Sequence, residues 1–235
     1  MNPTRLLPTL LFSVVVFCAG TAFGQDEATP AATAADREAF YTQTIEHRTE
    51  DILKALALKD AEKAGRVHDA IILQYRSLRA RDAAVVAKLK DTGNTNADSA
   101  ARSALASGLS KPLHEWFVGV LALDLAPAQV DMVKDQMTYN KVKVTFEAYC
   151  NIVPNLTEPD KAKIQELLKA AREEAIDGGS AGEKSAVFQK YKDQINAYLN
   201  ANGHDVQKAY KDWEGKQPSQ QASAGAAAAA GSAGK

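Results

Sequence analysis

Between residues 36 and 216 apolar residues recur every third or fourth position almost without a break, and no stretch keeps the strict alternation of a half-buried strand. A chain with that period buries one stripe of each helix and leaves the rest in water, so it folds by packing helix on helix. The expected class is all-α, an antiparallel bundle of about six to seven helices. The one stretch with β character, residues 142–153 with Val144, Phe146, Tyr149 and Ile152, keeps three- and four-residue spacing and has no partner strand, which favours helix.

Cap and breaker residues divide the periodic stretch. Asp36 reads as the cap of a first helix with Tyr41, Ile45, Ile52, Leu53 and Leu56 inward, and Asp60 as the cap of a second, long helix carrying Ala64, Val67, Ile71, Tyr75, Leu78, Val85 and Leu89. The second should return antiparallel along the first and extend past it. Residues 91–96 are turn chemistry, and Ser107-Gly108 weakens what otherwise reads as one helix from 97 to 123. Pro127 suits the first turn of a short helix with Val130, Val133 and Met137 inward, and residues 137–140 break it. After Pro154-Asn155-Leu156, Thr157 caps a helix with Ile164, Leu168, Ala171 and Ala175 inward, closed by Gly178-Gly179. Asn155-Leu156-Thr157 also matches a glycosylation sequon, though capping explains Thr157 better. Ser180 and Glu183 form a capping box for a helix with Val187, Tyr191, Ile195 and Tyr198 inward, so both tyrosines are expected in the core. Asn202-Gly203 ends it, and a final turn or two follows over 205–213.

The ends do not share this pattern. Residues 1–24 read as a removable signal peptide: a basic start ending at Arg5, an apolar run over 6–19 too short to span a bilayer, and Ala22-Phe23-Gly24 before a cleavage point at Gln25. Phe17 stands before Cys18 where a lipidation signal needs a small residue. The expectation is export to the periplasm or the exterior, with no transmembrane segment in the mature chain. Residues 25–35 read as a flexible linker, 36–216 as one all-α domain and 217–235, almost wholly Ala, Gly, Ser and Gln, as a disordered tail. The full chain has 28 Lys and Arg against 29 Asp and Glu, and losing Arg5 leaves the mature charge near −2. That balance excludes binding to nucleic acid or an anionic membrane through bulk charge. Cys150 remains as the single thiol of the mature chain, and reads as a small buried hydrophobe rather than a nucleophile.

No strong chemical motif appears: no Gly-rich phosphate loop, no nucleophile elbow and no Cys/His cluster with metal spacing, hence no implied cofactor or metal. His114-Glu115 begins like a zinc-protease helix, but Trp116-Phe117-Val118 follows and the second His is missing. His47 with Asp51 and His68 beside Asp69 could gather in a helical hairpin as metal ligands, or be ordinary surface pairs. Arg172-Glu173-Glu174 with Asp177 carries carboxylates at spacing fit for acid–base work, though a solvated helix face explains such a run more simply.

The interruption Val133-Lys134-Asp135-Gln136-Met137-Thr138-Tyr139-Asn140 is where a bundle would place a site. That segment, together with Tyr149, residues 154–157, Ala171-Arg172-Glu173, residues 177–180, Glu183-Lys184, Lys190-Tyr191-Lys192, Ile195-Asn196, Tyr198-Leu199 and Trp213, resembles a secreted bacterial family of unknown function described as sugar-binding. The likeness covers most of 36–213 and is densest after Leu123. Where that family carries a Lys-His pair and then an aromatic, a Phe and a Gly, this chain has Lys184-Ser185-Ala186-Val187-Phe188-Gln189. Asp193-Gln194 stands in place of a Gly and a basic residue, and Ala197 in place of an Asn.

The resemblance implies a carbohydrate as partner. A carbohydrate site combines aromatic faces for sugar C–H surfaces with planar polar groups for hydroxyls. Asp135, Tyr139, Arg172, Asp177, Lys190 and Asn196 supply that vocabulary, and the expectation is that they converge on one pocket. Lys192 and Asn196 fall opposite the Val187–Ile195 stripe, facing solvent or a neighbouring element. Three readings remain open: a non-catalytic carbohydrate-binding or accessory protein, a helical protein-interaction or structural domain, and a glycan-active lyase or hydrolase using carboxylates near Asp135, Glu173 and Asp177.

Overall fold

The computed structural model describes residues 33–91 and 99–216, side chains of 99–103 and 107 apart. The expected signal peptide, most of the linker, most of the 91–96 turn and the C-terminal tail lie outside them. The described residues form eight helices and no strand: α1 (Ala34–Leu56), α2 (Ala61–Asp91), α3 (Ser99–Asp124), α4 (Pro127–Met137), α5 (Lys141–Ile152), α6 (Glu158–Ala175), α7 (Ala181–Ala201) and α8 (Val206–Lys216). The all-α expectation holds. The added helix is α8, three turns rather than one or two, because Val206 and Ala209 pack onto the α5–α7 core.

Caps follow the chemistry with shifts of register. Thr33, not Asp36, caps α1: its hydroxyl accepts from Asp36 N–H, while Asp36 as third residue returns its carboxylate to Thr33 N–H. Asp60 caps α2 as expected, accepting from Glu62 and Lys63. Thr157 and Asp160 make the same reciprocal box on α6. At α7 the box is incomplete, since Ser180 accepts from Glu183 N–H but the Glu183 carboxylate goes to Gly179 N–H. Ser107-Gly108 does not break α3, which runs through both of them and through Pro112. Its inward Phe117 and Leu121 pack into the first core, and that burial outweighs the roughly 1 kcal/mol of a helical Gly and the ~3 kcal/mol of a helical Pro.

Two apolar cores result. The first joins Ile52, Leu56, Val67, Ile71, Phe117, Leu121, Val133 and Met137 from α1 to α4. The second joins Tyr149, Ile164, Leu168, Ala171, Ala175, Phe188, Ile195 and Leu199 from α5 to α7. Neighbours run antiparallel: Tyr41 donates to Tyr75 O across α1 and α2, and Arg66 pairs with Asp124 across α2 and α3. Four expected core positions move. On α7 the deepest residues are Lys184, Phe188, Ile195 and Leu199, so Tyr191 and Tyr198 pack only at the rim. Val144 is 61% exposed, because α5 buries only Tyr149 fully. Cys150, one residue on from Tyr149 and so about 100° around the helix, is exposed rather than buried.

Candidate functional site

Where the two cores meet, the contacts are polar. The run Arg172-Glu173-Glu174 with Asp177 is only in part a solvated face: Glu174 is exposed, but Arg172 is only 5% exposed. Asp131 and Asp135, one turn apart on α4, present carboxylates to it. Arg172 Nη2 donates to Asp131 Oδ1 at 2.6 Å, Nη1 to Asp135 Oδ1 at 3.1 Å, and Nη2 again to Glu173 Oε1 at 2.9 Å. Lys134, between the two aspartates, donates to Glu173 Oε2 at 2.6 Å. Burial pushes the Glu173 carboxyl upward, but the hydrogen bonds from Lys134 and Arg172 outweigh it and hold the group below its ordinary range.

One turn on, just beyond the end of α6, Asp177 takes up α3. Its Oδ1 lies 3.2 Å from His114 Nδ1, while His114 Nε2 stands 3.9 Å from Glu173 Oε2. A carboxylate opposite Nδ1 assigns the proton to that nitrogen and leaves Nε2 as the base of the neutral ring. The Asp177 hydrogen bond, working against burial, raises the His114 pKa above its usual value. The Asp177 carbonyl accepts from Arg81 Nη1 at 2.5 Å; the same nitrogen donates to Ser110 Oγ at 2.7 Å, and Nε and Nη2 of Arg81 close on Asp82 Oδ1. Asp82 in turn comes so close to Gly179 that a Cβ there would collide with its Oδ2. Beneath this loop Lys184, 2% exposed, donates to the carbonyls of Ala175 and Ile176, capping α6, and burial pushes its ammonium down to about 8.

Above Arg81 and His114 opens a groove of about 860 Å³ between α2, α3, α6 and α7. Six carboxylates line it, from Asp82, Glu115, Glu173, Glu174, Asp177 and Glu183, against Arg81, Lys111 and His114. Its apolar wall is aliphatic, Val85, Val86, Ala106, Ala186 and Val187, with no aromatic ring. Among the described residues no group of three or more His, Cys, Asp or Glu side chains comes together to hold a metal ion. His68 meets Glu46 and Asp69, while His47 pairs with Asp51 on the surface.

Of the six residues expected to converge, Asp135 and Arg172 touch. Asp177 alone of the six lines the groove. Tyr139 lies under the Arg48 guanidinium, 5.6 Å from its ring centre, with a left-handed backbone at φ 59°. Lys190 pairs with Glu174, and Asn196 Oδ1 accepts the Tyr149 hydroxyl at 2.7 Å, a neighbouring element as expected. Sequence reasoning passed over His114 as a truncated zinc motif and did not weigh Arg81. Both lie on inward stripes, Arg81 between Leu78 and Val85 and His114 three residues before Phe117, and a charged residue on a buried stripe demands partners.

The fold and site define an all-α protein with a carboxylate-lined groove set at the junction of two apolar cores. The chain belongs to the family described as a protein of unknown function, DUF3826, whose model matches residues 42–218. No curated protein matches the chain. No helix among the described residues is long and apolar enough to cross a membrane.

Proposed function

We propose that this protein, exported by its N-terminal signal, binds a neutral, polyhydroxylated ligand of the carbohydrate class in the groove between α2, α3, α6 and α7. The observation that carries the reading is the groove itself: about 860 Å³, wide enough for several sugar rings, with carboxylates spaced to accept hydroxyl hydrogens and an aliphatic wall for C–H faces. The Arg81 fork, held by Asp82, Ser110 and the Asp177 carbonyl, keeps the floor rigid before any ligand arrives. Uronates and sulfated glycans are disfavoured because the rim is already acidic at Asp82, Glu115, Glu174 and Glu183.

A glycan array followed by calorimetry tests this. Neutral glycans should bind, and Ala186→Trp, which fills the groove from its wall, should abolish binding while leaving the melting temperature unchanged. Binding confined to anionic glycans, or binding that survives Ala186→Trp, refutes it.

One observation favours a second reading, glycan cleavage: the Asp177–His114 pair leaves Nε2 as a base at the groove floor. Release of new reducing ends or unsaturated products, lost in His114→Ala with binding intact, would identify an enzyme. Asp135 does not serve as its acid in this reading, because Arg172 occupies it.

A further inference from the structure

The outer face of α3 carries an apolar stripe with no partner among the described residues. Leu105, Leu109, Pro112, Trp116 and Leu123 fall within an arc of about 60° on the helix, well away from the inward Phe117 and Leu121. Leu105, Leu109, Trp116 and Leu123 are 38%, 47%, 40% and 84% exposed. Between Ala104 and Ala122 the only formally charged residues are Lys111 and Glu115. A continuous apolar stripe about 27 Å long on one helix, rather than scattered single residues, marks an interaction surface.

We propose that this stripe is the interface of a homodimer in which α3 packs antiparallel on α3 of a second copy, with the two-fold axis passing level with His114. Self-complementarity argues for a second copy over any other partner. An antiparallel pair centred there sets Leu105 opposite Leu123, Pro112 opposite Trp116, and Leu109 over Gly119, each reciprocally. A Cβ at Gly119 or at Gly108 would meet nothing within 4 Å, so both glycines offer open notches for the partner's large side chains. Charge agrees with the same arrangement. Lys111 and Glu115 share one flank of the stripe, and in an antiparallel pair like flanks meet, which brings Lys111 of each copy to Glu115 of the other. A parallel pair would place the two Lys111–Glu115 flanks on opposite sides of the contact, with no such pairing.

The contact is one helix face, at the low end of stable interfaces, so the dimer is a micromolar one. Lys111 and Glu115 also line the groove, so pairing places two groove mouths side by side and makes the assembly bivalent.

Sedimentation velocity of the purified protein without ligand tests the dimer independently of the carbohydrate reading. A monomer–dimer equilibrium is expected in the micromolar range, with Leu109→Glu and Leu123→Glu each weakening it by tenfold or more. Val144→Glu, at an exposed apolar position on α5, is the control and should change nothing. Leu123, the most exposed of the stripe, tolerates charge in the monomer even should Leu109→Glu fold poorly. Lys111→Glu should weaken association and Glu115→Lys in the same chain restore it, a reversal that only the antiparallel register predicts. With Trp213→Phe leaving Trp116 as the sole indole, emission should shift to the blue as concentration rises. A monomer at several hundred micromolar, or a dimer indifferent to both glutamate substitutions, overturns the proposal.

Discussion

The two apolar cores and the polar junction between them obey different rules. Each core closes on itself: the first is mostly aliphatic with Phe117 and Met137 at its centre, the second uses small Ala171 and Ala175 on α6 so that Phe188 and Tyr149 fit against it. The junction instead relies on Arg81, Lys134, Arg172 and Lys184, four cations each at or below 9% exposure, matched to carboxylates and carbonyls. Apolar burial tolerates changes of shape, whereas a buried cation depends on every acceptor being in place. The chemistry of the molecule therefore sits where its packing is least forgiving, and its general stability elsewhere.

The largest losses of stability come from within the cores. Phe117→Ala and Phe188→Ala, both residues at most 1% exposed, should each cost about 3–5 kcal/mol in denaturant melts. Both should unfold in one step if the junction ties the cores together. Two separate transitions in either variant would mean that the cores are independent and the junction contributes little.

Next in size is Arg172→Met. It strands Asp131, Asp135 and Glu173 without their shared donor, and because those carboxylates still reach water the expected cost is about 2–3 kcal/mol, below that of a fully buried pair. The unfolding transition should broaden as the cores lose their link. A stability change within about 0.5 kcal/mol would mean the network carries no net energy.

Smaller still is Gly179→Ala. Its Cβ would run into Asp82, which must then leave Arg81, so about 1–2 kcal/mol is expected together with weaker ligand binding in the groove. A neutral Gly179→Ala would show that Asp82 swings aside freely. Gly203, whose φ is 88°, is a glycine for backbone reasons, while Gly179 is one for space.

Much of this fold is written in local sequence, and much of the site is not. Helix positions followed from period and caps because both signals act within four residues, as at Asp60 and Thr157. The boundary at Thr33 escaped because Asp36 is good at either role, cap or third residue. Six polar residues were expected to converge on the reasoning that helix ends meet; the groove does take in the α6–α7 connection at Asp177, but its other walls are the sides of α2 and α3, which carry none of the six. What selects Arg81, His114 and Asp177 is pairing across 96 and 63 positions of chain, which no local pattern records. An arginine on an otherwise buried stripe was the legible trace of it.

The smallest effect is the most specific to the junction. His114 faces Glu173 of α6 and Asp177 just beyond its end, with Lys134 of α4 on the far side of Glu173; the Asp177 hydrogen bond raises its pKa despite burial and the nearby Lys134. A group that holds its proton more tightly when folded contributes stability that is fully present below its unfolded value, about 6.5 for histidine, and is lost as pH rises through the higher folded value. The protein should therefore melt at a lower temperature at neutral than at mildly acidic pH; above neutral, Lys184, pushed down to about 8 by burial, works in the opposite direction. His68, also raised because Asp69 and Glu46 outweigh its burial, adds to that slope on the surface of the first core. The difference between the parent and His114→Gln isolates the junction: the variant should keep the His68 part of the slope and lose the rest. Identical slopes for the two proteins would show that the Asp177–His114 contact does not hold in solution, and with it would fall the assignment of Nε2 as a base on the groove floor.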